Sequence, residues 1–300
     1  MKSVTDIVKV VSQPVKGYLP ISNFEVKELG GDILQCDIQP ILIGKCVDSV
    51  LRLIVNTDPE TVFRNSIIGY ENRVQYFANS FSYCGNTEVV SKEIRDEDGK
   101  FNVYSLISRI KPLIESYDIY RLFIVVLTIH QYDIWEYDYY YISSRSTIES
   151  SRPKYYKKSD IRVLVEMYKR LLSWLCTMLE KGVIFDYKFY PDGYTDKVKY
   201  GVGDFVCANT LFDLKCIKGE PNKRHTLQLL MYYIMGIHSN NKLYKNVRYL
   251  GIYSPITNKV WSIDINTIPK ELINKVGCEV IGYNEPFIWN GRKLDSNYEI

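Results

Sequence analysis

Apolar residues at Ile161, Leu164, Val165, Tyr168, Leu171, Leu172, Leu175 and Leu179 recur at helical spacing, and the period then drops to two. Ser159 is a suitable N-cap for the helix and Gly182 a suitable stop. Strands are expected over Val183 to Tyr190, closed by Pro191-Asp192-Gly193, over Lys197 to Ala208, interrupted by Gly201 and Gly203, and over Leu211 to Ile217. Asn209-Thr210 reads as the short turn between the last two. A loop over Lys218 to Asn222, a helix over Thr226 to Ile237 and a hairpin of Val247 to Tyr253 with Lys259 to Ile265 follow. The order helix, three strands, helix, one or two strands predicts an α/β (α+β) fold with a mixed sheet flanked by helices.

The preceding residues have a different texture. Phe24 to Leu29 and Ile33 to Ile38 alternate around Gly30-Gly31, which reads as a hairpin. From Ile41 to about Arg73 the spacing is helical, and Asp58-Pro59 is a cap followed by a first-turn proline. Val103 to Ser116 and Asp118 to about Tyr137 give two more helices. Five serines in 143–151 and Pro153 mark a linker. The expected organisation is a mostly helical domain with a small hairpin over 1–142, a linker over 143–158 and a second domain over 159–300. The aromatic run Trp135 to Tyr141 reads as core or interface packing ahead of a base-stacking surface.

Several classes are set aside. No run approaches the ~18 apolar residues of a membrane span, and Met1 to Val11 has no apolar signal core, so a cytoplasmic protein without membrane contact is expected. Seven cysteines with no C-x-x-C pair argue against a disulfide framework and a zinc site. Cys176, Cys207 and Cys216 read as core residues. There is no phosphate-binding G-x-x-x-x-G-K-[ST] loop and no G-x-S-x-G. Charge is uneven. Residues 1–150 hold 15 Lys and Arg against 20 Asp and Glu, a net of −5, whereas 151–250 hold 18 against 9, a net of +9. A basic block suits a polyanion, and an acidic first half suits a protein partner or self-association.

The residues with chemical promise are Asp204, then Asp213-Leu214-Lys215, then Gln228 and Tyr232. With a turn at Asn209-Thr210, pairing runs 208 with 211, 206 with 213 and 204 with 215. Asp204 then faces Lys215, with Asp213 on the diagonal. Period two puts all three on one face, at about 4.5–5.5 Å for direct and ~7–8 Å for diagonal neighbours. Phe205, Cys207, Phe212, Leu214 and Cys216 take the other, apolar face. Two carboxylates at this spacing repel each other, and a hard divalent ion relieves the repulsion. Such an ion can polarise a phosphodiester and lower the pKa of a bound water. Gln228 and Tyr232, at i and i+4, share a helix face. Lys223 and Arg224 at the start of that helix suit backbone phosphates. Alone, an Asp-x-Lys strand is an ordinary cross-strand ion pair. Order and spacing together favour the metal site. His130, His225 and His238 are scattered, and His225 reads as a phosphate contact or an exposed cap.

Gly201-Val202-Gly203-Asp204 on one strand, Asp213-Leu214-Lys215 on the next and Gln228 with Tyr232 on the following helix resemble the PD-(D/E)xK nuclease superfamily, in its RecB-like branch, over about 159–265. The resemblance implies a restriction-endonuclease-like core, Mg²⁺ or Mn²⁺ dependence and hydrolysis of phosphodiester bonds, in DNA rather than RNA. It implies metal binding by Asp204, Asp213 and the Leu214 carbonyl, an activating Lys215, and auxiliary roles for Gln228 and Tyr232. The family's habits point to bacterial or phage DNA processing or defence. Glu166 or Glu180 would supply the acidic residue that many members carry on the first core helix. No cysteine set suits an iron–sulfur cluster. The alternatives are a nuclease-fold module that binds nucleic acid or a protein, and an RNA-cleaving effector.

Overall fold

The computed structural model describes residues 2–54, 57–72, 102–135, 156–179, 185–207, 209–239 and 242–286. The labelled helices are α1 (Val4–Val10), α2 (Pro40–Ile54), α3 (Pro59–Val62), α4 (Val103–Ser108), α5 (Ile110–Glu115), α6 (Ile119–His130), α7 (Lys158–Leu179), α8 (Lys223–His238) and α9 (Lys270–Lys275), and residues 64–72 are also helical. The strands are β1 (Glu25–Glu28), β2 (Phe185–Phe189), β3 (Gly203–Cys207), β4 (Thr210–Leu214), β5 (Tyr249–Ser254) and β6 (Lys259–Asp264). The chain divides by packing into 1–34 with 170–300, and 35–169. The expected boundaries, 142 and 159, lie elsewhere. The first 34 residues belong with the sheet, because α1 packs on α8 and β1 joins β6. Most of the expected linker, 143–155, lies outside the described residues, as do the side chains of the Trp135 to Tyr141 run.

In the first unit the six strands run β1-β6-β5-β4-β3-β2, a mixed sheet. Only β4 and β5 pair in parallel; the other four neighbouring pairs are antiparallel. The expected hairpin around Gly30-Gly31 does not form. Glu25–Glu28 pairs with β6 instead. Gly30 and Gly31 have φ of +87° and +89°, a region open to glycine, and the Leu29 and Leu34 amides donate to Asn258 and Ile256. The choice of edge is tertiary: both edges satisfy the same backbone groups.

The sheet's two faces are filled differently. Over one lies α8, whose residues from Leu229 to Ile237 are all buried, as expected for a helix apolar all round. It packs with Val206, Leu211, Leu250 and Ile252 of the sheet and with Val4, Ile7 and Val8 of α1. On the other face Trp174 of α7 stacks on Tyr253 at 4.3 Å between centroids and meets Phe212 edge-on at 4.9 Å. Phe212 stacks on Phe205 at 5.3 Å, and its ring crosses Gly251, where a Cβ would lie 2.3 Å from it. Cys207 and Cys216 are buried as expected, but Cys176 is exposed. It lies off the face that buries Leu171, Trp174 and Leu175.

The second unit is helical. α2 and α6 form its core through Cys46, Val47, Val50, Leu122, Phe123 and Val126. A polar network is buried between helices. His130 Nδ1–H donates to Asp133 Oδ2 at 3.0 Å, and Ser49 Oγ lies 2.8 Å from His130 Nε2. Lys45 Nζ also reaches Asp133 Oδ2, at 2.5 Å, and the Ser66 hydroxyl donates to Oδ1. Ser, His and Asp follow one another here as in a nucleophilic triad. Ser49 is only 2% exposed, however, and Asp133 is shared with two further donors. The network ties helices together and presents no hydroxyl to a substrate.

Candidate active site

Strands β3 and β4 pair Phe205 with Phe212, Val206 with Leu211 and Cys207 with Thr210. The chain thus reverses one residue earlier than expected. Continued by one residue, this register sets Asp204 across from Asp213, with Lys215 on the diagonal, rather than Asp204 across from Lys215. The shift is two positions, so the parity of the faces survives. Asp204, Asp213 and Lys215 follow Val206 and Leu211 onto the α8 side, and Phe205 and Phe212 take the α7 side.

Local backbone explains the position of Asp204. The Lys215 amide donates to the Tyr253 carbonyl at 2.9 Å and so continues the ladder towards β5. The Leu214 amide points the other way, beyond the last paired residues, Phe205 and Phe212. Asp204 Oδ2 accepts from it instead, at 2.5 Å. The chain leading into β3 is held by the N-terminus: the Val4 amide donates to the Tyr200 carbonyl at 2.9 Å. At Gly201 a Cβ would lie 2.9 Å from Val4 and 3.3 Å from the Tyr232 ring.

Asp213 is 2% exposed. Lys215 Nζ sits 2.5 Å from its Oδ2, yet that oxygen has no aligned hydrogen bond. The contact is an ion pair rather than a saturated acceptor. Burial works against charge on Lys215, but Asp213 and Asp204 outweigh it and hold its pKa above the usual lysine value. Lys215 is therefore a cation between two carboxylates.

From α8, Tyr232 is 2% exposed, and Gln228 Nε2 donates to its hydroxyl at 3.0 Å. Burial first, then the charges of Asp213 and Asp204, push the Tyr232 phenol well up, so it is neutral and faces the acidic pair. Gln228 Nε2 also reaches Thr5 Oγ1 at 3.4 Å. Thr5 stands on α1, far away in sequence, and no local pattern marks it. His225 is half-buried rather than exposed. It closes a capping box: its Nδ1 accepts from the Asn222 amide at 3.2 Å. Burial and the charge of Lys215 hold its imidazole below the usual histidine range, with Asp213 acting in the opposite sense.

The structure thus brings Asp204, Asp213, Lys215, Gln228 and Tyr232 together, with the Leu214 main chain between the two acids, and adds His225 and Thr5. Lys223 and Arg224 are exposed on the first turn of α8. Lys223 is held by the N-terminal segment, its Nζ 3.4 Å from the Pro14 carbonyl. At Gly17, with φ +85°, a Cβ would lie 2.7 Å from the Lys223 Cβ. Glu166 falls in the part of α7 that belongs to the helical unit, and Glu180 lies outside the described residues. Among the described residues no helix is long and apolar enough to cross a membrane.

The arrangement suits a small hard cation. Asp213 offers a buried carboxylate, shared in this structure with Lys215, and Asp204 a second carboxylate. This is an oxygen-only donor set of the kind Mg²⁺ takes. No family model, curated protein or solved structure matches this chain.

Proposed function

We propose that the sheet-bearing unit is a Mg²⁺- or Mn²⁺-dependent nuclease of restriction-endonuclease-like architecture that hydrolyses phosphodiester bonds, in DNA rather than RNA. One observation carries the reading: two carboxylates, Asp204 and the buried Asp213, stand across one strand pair with Lys215 on the same face. Asp204, Asp213 and the Leu214 carbonyl would hold the ion, which when bound supplies Lewis-acid polarisation of the phosphodiester and a water of lowered pKa. Lys215 offsets phosphate charge and orients the attacking water. Tyr232, neutral and fixed by Gln228, donates to substrate or water at the back of the site. Net charge of +9 over 151–250 favours a polyanion, and the exposed Arg224 suits a backbone phosphate.

The test is cleavage of single-stranded DNA, double-stranded DNA and RNA with Mg²⁺ or Mn²⁺, for wild type, Asp213→Ala and Lys215→Ala. Cutting by wild type and by neither variant is expected. Cutting that persists in both variants removes the assignment of the site. Preference for RNA replaces the polymer, and binding without cutting of any substrate replaces the enzyme by a nucleic-acid-binding module.

A further inference from the structure

His225, Gln228 and Tyr232 stand at i, i+3 and i+7 of α8 and so share one helix face. That face looks onto the acidic pair. Tyr232 feels the charges of Asp213 and Asp204, and His225 those of Lys215 and Asp213. His225 therefore extends the row formed by Gln228 and Tyr232 towards the start of the helix, where Arg224 is exposed.

Its protonation is set by geometry. Nδ1 accepts the Asn222 amide hydrogen at 3.2 Å, so Nδ1 carries no proton. In the neutral ring the proton is then on Nε2. Among the described residues no group accepts from Nε2–H. Capping alone does not require this ring. In α1 the same N3 position is held by Asp6, whose short carboxylate accepts from the Ser3 amide at 3.0 Å. The imidazole adds a donor on the far side of the cap, next to Lys215.

We propose that His225 is a substrate contact of the nuclease site, its Nε2–H donating to a non-bridging phosphate oxygen of the nucleic acid held at Lys215. The proposal rests on the nuclease reading. A phosphate is the fitting partner because it is an acceptor only, and a neutral donor beside an ammonium binds it without adding like charge. No proton is transferred.

The test compares wild type, Asp213→Ala, His225→Asn and His225→Gln on one DNA oligonucleotide with Mg²⁺, together with thermal unfolding of each. Asn keeps an acceptor short enough to cap, as Asp6 does, and loses the Nε2 donor. Gln keeps both an acceptor and an amide N–H at greater reach. The expected result is a kcat/KM lowered about 10- to 100-fold in His225→Asn, the effect of one hydrogen bond to a charged group. Tm should be unchanged, and His225→Gln should recover part of the loss. His225→Asn cutting like wild type, with Asp213→Ala inactive, overturns the contact and leaves the nuclease reading standing. Equal losses in both His225 variants with a lowered Tm overturn it in favour of a structural cap. A wild type that cuts nothing overturns both the contact and the reading beneath it.

Discussion

Each unit of this protein buries an aspartate beside a lysine, and the two are treated in opposite ways. In the helical unit Asp133 takes His130 and Lys45 on one oxygen and Ser66 on the other. In the sheet unit Asp213 has Lys215 against it, but no aligned hydrogen bond on the oxygen Lys215 approaches. Burial costs a carboxylate free energy unless donors replace water. Asp133 is compensated, and its pKa shows it: burial works against ionisation, yet the bonds and charges of His130 and Lys45 prevail and pull the carboxyl to about 2. Asp213 is compensated by the single ammonium of Lys215, with a second carboxylate across the strand pair.

The contrast is open to direct attack. The largest effect is expected from Asp213→Asn, which under the proposed function should lower cleavage by about 10³-fold, because an ion held there would supply several kcal/mol of charge stabilisation. Its Tm should move by no more than about 2–4 °C, read by calorimetry alongside the kinetics. Asp133→Ala should do the reverse. Removing one member of a buried charged network costs about 3–5 kcal/mol, seen as a shifted denaturant midpoint, and an intact Tm would dissolve the contrast. Acid supplies a third probe. A carboxyl with a depressed folded pKa stabilises the protein above its unfolded value and loses that contribution as pH falls through the folded one. For Asp133, lowered from 3.8 to about 2, the loss falls between about pH 4 and pH 2 and amounts to about 2 kcal/mol. Stability measured against pH should lose this limb in Asp133→Asn. The smallest effect belongs to Thr5→Val, which removes one hydrogen bond from Gln228. A fall of about 3- to 10-fold in kcat, with KM unchanged, is expected. No change would place α1 outside the site.

Much of the second half was legible in the sequence. Helix α7, strands β2 to β6 and helix α8 arise from strong local period, caps and turn residues, and each lies within a few residues of its expected place except β3, expected from Lys197 and begun at Gly203. The face shared by Asp204, Asp213 and Lys215 was also legible, because alternation depends on parity alone. Their pairing was not. The turn came one residue early, so Asp204 faces Asp213 and binds the Leu214 amide. The first 34 residues were misassigned for a related reason. Glu25–Glu28 is a sound strand in isolation, but which edge it joins depends on a partner more than 200 positions away in β6.

The sequence by itself determined the elements, the apolar and polar faces of the central strands, and the residue types able to hold a cation beside a phosphate, because these follow from neighbours a few positions apart. Tertiary structure alone decided that α1 lies against Gln228, that Lys223 is held at Pro14 while His225 turns inward, and that one buried aspartate has three side-chain partners and the other a lysine and a facing carboxylate. Burial and hydrogen-bond saturation depend on what the rest of the chain brings to a point, and no local pattern encodes that.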